Sequence, residues 1–152
     1  MHLVLVKPEI PQNTGNVART CVMTGTKLHL VEPFGFSLSE KEVRRSGLDY
    51  WQYLDLEVHP EFYSLQKENP STRFIYFTTR GRQYYHRISY RWDDFLVFGS
   101  ETSGLDPEIL EEAEIVLRIP MLNQIPRSLN LGNSVALVLY EALRQQDFPG
   151  MS

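Results

Sequence analysis

Three polar loops in this chain carry the residue types that bind ligands or assist reactions, and each follows an apolar segment. They span residues 8–16, 99–105 and 119–130. The third loop places five polar side chains within eight positions, namely Asn123, Gln124, Arg127, Ser128 and Asn130. Amide, hydroxyl and guanidinium groups at this density favour a binding site for a polar ligand. The alternative interpretation is an ordinary strand-to-helix connection that is capped by Ser128 or Asn130.

Loops at the carboxyl ends of buried strands are where open α/β sheets bind their ligands. Gly15, Gly99 and Gly104 lie in these loops, and glycine allows a backbone to approach a ligand closely. We therefore expect the three loops to converge on one site at one edge of a sheet.

Several well-known catalytic and cofactor motifs are absent from the sequence. It contains no G-x-G-x-x-G, no P-loop, and no G-x-S-x-G elbow, since GSETSG has the wrong spacing. The histidines are scattered without the spacing of metal ligands, and we interpret them as strand or surface residues: His2, His29, His59 and His86. The sequence therefore predicts no metal site. Cys21 lies in the apolar segment VARTCVM, which favours buried packing over nucleophilic catalysis.

Hydrophobic patterning predicts the elements that must hold these loops. Strands are predicted over residues 2–6, 28–31, 55–59, 73–77, 95–98 and 115–119. Helices are predicted over residues 15–24, 39–47, 61–68 and 129–145, with a further short helix after Asp106. Asn13 or Thr14 is expected to cap the first helix, and Asp106 the short one. Ser39 and Glu42 form a capping box at the start of the second. Residues 80–92 are predicted to be irregular. A strand, a helix and a strand within about thirty residues form a βαβ unit. The fold class is therefore predicted as α/β, with a mostly parallel sheet and flanking helices.

Composition indicates a globular protein, which we expect to be one domain over residues 1–152. The chain has 152 residues, of which 42% are hydrophobic and 22% charged. Its net charge is −4, so nucleic-acid binding would need a local basic patch or a dimer that joins two patches. The single cysteine excludes an internal disulfide and fits a reducing cytoplasm. We find no signal peptide, and no apolar run approaches the roughly 20 residues that span a bilayer, so we expect a cytoplasmic protein without membrane contact.

Three ordered motifs give the chain a specific resemblance. They are NTGN at residues 13–16 followed by Arg19, FGSETSGL at 98–105, and IPMLNQIPRSLNLGNSVALVLYE at 119–141. Together they resemble the three motifs of the SPOUT superfamily of RNA methyltransferases. Nearly the whole chain is more closely similar to the TrmL (YibK-like) family, the tRNA 2′-O-methyltransferases that modify the wobble nucleotide.

This resemblance implies a fold, a cofactor and an assembly. The family fold is an α/β sheet whose C-terminal segment is threaded into a trefoil knot, and the knot holds S-adenosylmethionine. Family members are homodimers with the site near the interface, and their chemistry requires no metal. By resemblance, the methyl donor contacts Phe77 or Thr78, then Gly99, Glu101, Ile119, Met121, Ser128 and Leu129.

The resemblance also implies two catalytic residues. Arg19 matches a family arginine proposed to help activate the ribose 2′-hydroxyl. Because a guanidinium stays protonated, orienting that hydroxyl and binding the adjacent phosphate is the easier role. Tyr140 matches a family tyrosine near the site, with plain packing as the alternative. Asn13 and Asn16 are expected to hold the first loop or to contact the ribose.

Residues 80–92 interleave cations with aromatic rings. The cations are Arg80, Arg82, His86, Arg87 and Arg91, and the rings are Tyr84, Tyr85, Tyr90 and Trp92. This pattern suits a phosphate track with base stacking, so we expect Arg80, Arg82 and His86 to contact tRNA. The alternative is a solvated loop whose rings pack on the sheet or on the dimer partner. Arg44 and Arg45 form a second, smaller basic spot.

The implied function is S-adenosylmethionine-dependent 2′-O-methylation of the wobble nucleotide of tRNA, either cytidine or a modified uridine. Two alternatives stay open at this point. One is a 2′-O-methyltransferase that acts on another RNA, such as ribosomal RNA. The other is a non-catalytic RNA-binding module of the same fold.

Overall fold

The computed structural model describes residues 1–37, 49–122, 124 and 127–152. The predicted helix over residues 39–47, with Ser39 and Glu42, lies outside the described residues. The basic spot at Arg44 and Arg45 lies outside them as well, and so does Asn123.

A parallel sheet of seven strands forms the centre of the described chain. The strands are β1 (His2–Val6), β2 (Lys27–Val31), β3 (Leu56–His59), β4 (Phe74–Phe77), β5 (Gln83–Tyr84), β6 (Phe95–Phe98) and β7 (Ile115–Arg118). They lie in the order β3-β2-β1-β6-β4-β7-β5, and each neighbouring pair is parallel. The predicted α/β class with a parallel sheet is confirmed. Because all strands run the same way, all their carboxyl ends meet at one edge of the sheet.

Strand β5 shows that the prediction of an irregular segment over residues 80–92 is wrong at Gln83–Tyr84. Gln83 pairs with Leu117, and Tyr84 pairs with Arg118 of β7. A strand of two residues is too short to show an alternating pattern, so only its neighbour reveals it. Gly81 precedes it, and a Cβ at Gly81 would lie 2.3 Å from the Leu117 carbonyl carbon, so only glycine lets this segment approach β7.

Four α-helices cover the sheet within the described ranges. They are α1 (Pro11–Thr24), α2 (Phe62–Glu68), α3 (Pro107–Glu111) and α4 (Leu131–Gln145). Two short 3₁₀ helices span Asp49–Tyr53 and Tyr85–Arg87. In this part of the chain, no helix is long and apolar enough to cross a lipid bilayer.

The helix starts differ from the predicted caps. Helix α1 begins at Pro11, so Asn13 and Thr14 lie in its first turn, and the prediction that one of them caps the helix is wrong. Proline is favoured at a first helical position because its missing N–H has no partner there in any case. Asp106 precedes α3, but its carboxylate pairs with Lys7 Nζ at 2.6 Å and makes no capping hydrogen bond. Asn130 does cap α4, since its Oδ1 accepts a hydrogen bond from Asn133 N at 3.3 Å.

Alternate strand residues point to opposite sides of the sheet. Helices cover both of these faces. One face packs against α1 and α4, with Leu3, Leu5, Leu28, Leu30, Val17, Cys21, Val135 and Leu139 in its core. The other face packs against α2 and α3, with Val4, Val6, Val97, Phe62, Leu65 and Ile109. Helix α4, which follows the third polar loop, is therefore a core helix, and it lies directly against α1.

Cys21 lies inside the first of these clusters, as the sequence predicts. Its side chain is fully buried, and this burial raises the pKa of the thiol to about 12. Because the thiolate is the reactive form, we expect no labelling of the native protein by a thiol reagent at pH 8 and rapid labelling in denaturant. Absorbance of the released chromophore measures both rates. Equal rates in the two conditions would contradict the buried position.

Candidate active site

The three polar loops converge on one cavity at the carboxyl edge of the sheet, as the sequence predicts. The cavity has a volume of about 940 Å³, within the range typical of small-molecule and cofactor sites. Ile10 and Asn13 come from the first loop, Gly99–Leu105 from the second, and Ile119, Met121 and 127–130 from the third. A fourth segment, residues 78–80 after β4, completes the wall.

Each residue that the resemblance assigns to the methyl donor lies on this cavity. The set is Phe77, Thr78, Gly99, Glu101, Ile119, Met121, Ser128 and Leu129. They come from segments separated by up to about a third of the chain, and the parallel strands β4, β6 and β7 bring them together. Arg127, one of the polar residues of the third loop, also lines the cavity, and so do Thr79 and Ser134, which no sequence pattern singled out. Thr79 could have been identified from the sequence by its position just after the carboxyl end of β4, where ligands bind in such sheets.

An aromatic pair and a backbone hairpin form the inner surface of the cavity. The rings of Phe77 and Phe98 are stacked, with centroids 4.7 Å apart and planes at 11°. The hairpin closes where Ser100 and Gly104 exchange two backbone hydrogen bonds, each 3.1 Å long. A Cβ at Gly99 would lie 2.1 Å from the carbonyl carbon of Gly104. The hairpin therefore folds back on its own backbone, and only a glycine fits at position 99.

The Glu101 carboxylate ties the second loop to the first. Its Oε2 accepts a hydrogen bond from Glu9 N at 2.8 Å, and its Oε1 accepts from Ile10 N at 3.2 Å and from Asn13 Nδ2 at 2.9 Å. These donors surround the start of α1, where negative charge is favourable and which has no side-chain cap of its own. In return, Thr102 Oγ1 donates to the Glu9 carboxylate at 2.8 Å. The carboxylate of Glu101 thus holds the cavity wall in place.

Asn13 continues this network into the third loop. Its Oδ1 accepts a hydrogen bond from Asn130 Nδ2 at 2.8 Å, and Asn130 is the residue that caps α4. Asn13 is buried and also lines the cavity. These contacts join the first loop to the second and third loops, and a contact of Asn13 with the ribose stays a prediction.

We expect Glu101→Ala to lower the free energy of unfolding by about 2 kcal/mol, because three donors lose a charged acceptor. Urea denaturation followed by circular dichroism measures this loss. Glu101→Gln is the matched control, since it keeps the length and one acceptor oxygen and should lose less. Wild-type stability of the alanine variant would show that the three contacts do not hold the loops.

Five predicted site residues do not line the cavity: Arg19, Tyr140, Asn16, Arg82 and His86. Arg19 is exposed on α1, with its guanidinium 5.9 Å from the centre of the Tyr50 ring. Asn16 is exposed on the same helix, beside the start of α4, where its Cβ would lie 3.4 Å from a Cβ at Gly132. Arg82 and His86 are exposed beyond β4.

Tyr140 lies in a separate hollow, formed by α1, α4 and the C-terminal residues. Met23, Phe148 and Met151 line this hollow with it. Tyr140 is 46% exposed and Met23 is 60% exposed. Together with Leu137, also exposed on α4, these side chains form an apolar surface, which we call the α1/α4 surface. Apolar surface of this kind commonly marks a binding face.

Each of the two interpretations of residues 80–92 holds for part of the segment. Tyr90 is buried, and its hydroxyl donates to the Tyr85 carbonyl at 2.6 Å. The guanidinium groups of Arg87 and Arg118 lie 5.1 and 5.0 Å from the Tyr84 ring centre. These rings therefore pack within the protein. Arg80 is exposed and lines the cavity, so its charge is available to a substrate.

Comparison with known proteins places this architecture in a family. The model of the SpoU rRNA Methylase family matches residues 1–140. A tRNA (cytidine(34)-2'-O)-methyltransferase of Escherichia coli (strain K12) is 44% identical over 153 residues, which cover 99% of this chain and 96% of that protein.

Two solved structures show the same fold. One, described as giving structural insights into the 2-OH methylation of C/U34 on tRNA, has a TM-score of 0.90 at 44% identity and covers 96% of this chain and 95% of its own. The SpoU methyltransferase AviRb from Streptomyces viridochromogenes, in complex with the cofactor AdoMet, has a TM-score of 0.84 at 21% identity over 97% of this chain and 60% of its own. The match over most of its length and the shared fold show that this chain belongs to the SpoU rRNA Methylase family.

Proposed function

We propose that this chain transfers a methyl group from S-adenosylmethionine to the ribose 2′-oxygen of the wobble nucleotide of tRNA, cytidine or a modified uridine at position 34. The observation that carries the proposal is that every residue expected to contact the donor lines the same cavity. The E. coli relative named for this activity supports the choice of nucleotide. A tRNA substrate implies a cytoplasmic location.

The residues around the cavity fit a donor of nucleoside size. The stacked Phe77 and Phe98 offer a flat apolar surface, and the Gly99–Leu105 hairpin offers backbone groups that can read an adenine edge or a carboxylate. When bound, S-adenosylmethionine supplies a methyl group that its sulfonium already activates. The task left to the protein is to position the 2′-oxygen in line with that methyl group and to exclude water.

Exposed arginines at the cavity support the proposal that the substrate is an RNA. Arg80 and Arg127 are exposed and line the cavity, so each can bind a phosphate by paired hydrogen bonds. The net charge of the chain is −4, and RNA binding must therefore depend on such local groups. Arg82 and His86 extend this basic edge away from the cavity.

Arg19 acts, in this proposal, on the cavity of a second copy of the chain. Arg19 and Met23 are four residues apart on α1 and so share one face of that helix. Met23 belongs to the exposed α1/α4 surface, which a second copy would cover. A homodimer built on this surface buries Met23, Leu137 and Tyr140 and carries Arg19 into the interface. Arg19 would there orient the 2′-hydroxyl and bind the adjacent phosphate.

We also infer that residues 1–152 form one domain and that the C-terminal segment, which contains the third polar loop, is threaded into a trefoil knot, as the resemblance implies. Two observations support this: the loop lines the cavity together with the Gly99–Leu105 hairpin, and Asn130 bonds to Asn13 near the start of the chain. Tracing these residues in a crystal structure tests the knot. A segment that passes beside the preceding loop, without threading it, would overturn it.

The test of the proposed function is a transfer assay with labelled S-adenosylmethionine and tRNA isolated without its wobble modification. Digestion and mass mapping should place the new methyl group on the ribose of nucleotide 34. A matched tRNA with 2′-deoxyribose at that position should accept no label. Donor binding without transfer to any tRNA would overturn the proposal and support a non-catalytic module, and transfer to ribosomal RNA alone would assign a different substrate.

A further inference from the structure

Three of the four histidines, which look scattered in the sequence, lie together on the edge of the sheet formed by β1, β2 and β3. His29 of β2 is directly opposite Glu57 of β3, and His59 follows Glu57 by two residues, so all three side chains lie on the same face. His2 of β1 lies on that face too, stacked on Phe95 at 4.1 Å. We call His2, His29, Glu57 and His59 the edge cluster.

From this arrangement we propose that His29, Glu57 and His59 bind a divalent cation of the zinc class, at a site separate from the methyl-donor cavity. The donor atoms of the three side chains all lie within 4.8 Å of one another. The site is independent of the proposed methyl transfer, because it lies on β2 and β3, whereas the cavity walls follow β1, β4, β6 and β7.

The distances between the donor atoms suit such a cation. His29 Nδ1 lies 3.0 Å from His59 Nε2, and Glu57 oxygens lie 3.8 Å from His29 Nδ1 and 4.0 Å from His59 Nε2. Ligands about 2.0–2.2 Å from a tetrahedral zinc ion are about 3.4 Å apart, and two imidazoles with one carboxylate form a known zinc set. Small side-chain adjustments therefore place all three ligands around one ion, with a fourth position left to water.

The second contact of His29 also matches that of a metal ligand. The far nitrogen of His29, Nε2, lies 2.9 Å from His2 Nδ1. Metal-bound histidines commonly donate their other N–H to an acceptor, which fixes the ring orientation. The far nitrogen of His59, Nδ1, lies 4.0 Å from a Glu68 oxygen of α2, which is beyond hydrogen-bond distance. Glu57 is held by Lys27, whose Nζ lies 2.8 Å from Oε2.

The two histidine rings are buried, and the glutamate leaves a path to the site. His29 is 2% exposed and His59 is 3% exposed. The Glu57 side chain is 43% exposed, and a cation can enter from that side.

The test is a calorimetric titration of ZnCl₂ into the full chain after chelator treatment and buffer exchange. We expect saturable binding of one ion per chain. Glu57→Gln and His59→Gln should each remove it. His2→Phe, which keeps the stacking on Phe95 and removes the second contact, should weaken the affinity by about 10- to 100-fold. His86→Gln is the matched control, because His86 is exposed outside the edge cluster and its loss should leave zinc binding unchanged.

Circular dichroism of each variant checks that it is folded. Because Glu57 is only partly buried, Glu57→Gln keeps the test valid if His59→Gln unfolds. The alternative is a neutral ladder of hydrogen-bonded histidines that takes up no metal. The absence of saturable zinc binding by the wild-type chain would establish that ladder and overturn the proposal. Undiminished binding by a folded Glu57→Gln variant, or its loss in His86→Gln, would overturn it as well.

Discussion

Replacing Gly99 by alanine is expected to weaken binding of the methyl donor severely. A Cβ at this position would lie 2.1 Å from Gly104 C and 2.2 Å from Leu105 N. Both are backbone atoms, so no side-chain rotation relieves the overlap and the hairpin must open. We expect donor affinity to fall by about 100-fold or more, equivalent to about 2.7 kcal/mol, and stability to fall by about 3 kcal/mol. Calorimetric titration with S-adenosylmethionine and urea denaturation measure the two effects.

Gly104→Ala is the matched control at the other end of the same hairpin. Gly104 has a positive φ of 73°, and a Cβ there would have no neighbour within 4 Å. Its replacement should cost only the backbone strain of about 1–2 kcal/mol and should leave the cavity intact. Equal donor affinity in Gly99→Ala and wild type would mean that the hairpin does not form the donor wall.

Replacing Arg19 by alanine is expected to lower the rate of methyl transfer by about 100- to 1,000-fold, the usual effect of removing one positioned donor from a reacting centre. Donor affinity should stay at the wild-type value, because Arg19 does not line the cavity of its own protomer. Single-turnover transfer to tRNA and donor titration separate the two quantities. Arg19→Lys keeps the charge without the planar fork of donors and should recover part of the rate.

The fold of the Arg19→Ala variant should be preserved, since the side chain is exposed and its contact with the Tyr50 ring is worth about 1 kcal/mol at most. A variant that transfers methyl groups at the wild-type rate would remove Arg19 from the mechanism. Weakened donor binding with unchanged turnover would assign it instead to the donor site.

Mixed dimers distinguish an arginine that acts across the interface from one that acts within its own protomer. Protomers carrying Arg19→Ala and Gly99→Ala are each expected to be inactive as homodimers. If Arg19 serves the partner's cavity, a dimer of the two variants contains one complete site and regains activity. Purification through two different affinity tags isolates this species. An inactive mixed dimer would show that the arginine acts within its own chain.

The local sequence determined the elements and the loops because their signals are local. Apolar runs of β-branched and aromatic residues located six strands, and the polar loops that follow β1, β6 and β7 located the ligand cavity. The missing strand, β5, has two residues and is recognisable only by its pairing with β7. The start of α1 was misplaced because Asn13 and Thr14 have the composition of caps, whereas Glu101 from the second loop binds the backbone there.

Periodicity in a sequence tells which face of a strand a residue occupies, but not which strands lie beside it. The order β3-β2-β1-β6-β4-β7-β5 supplies that second piece of information. It places Glu101 against Glu9 and Asn130 against Asn13, and it brings His2, His29 and His59 into contact from three strands. By itself, the sequence determined the parallel α/β fold and the three polar loops that line the cavity. The tertiary structure alone decided the partners of Glu101, the exposed position of Arg19 and the edge cluster, because each depends on packing between segments far apart in the chain.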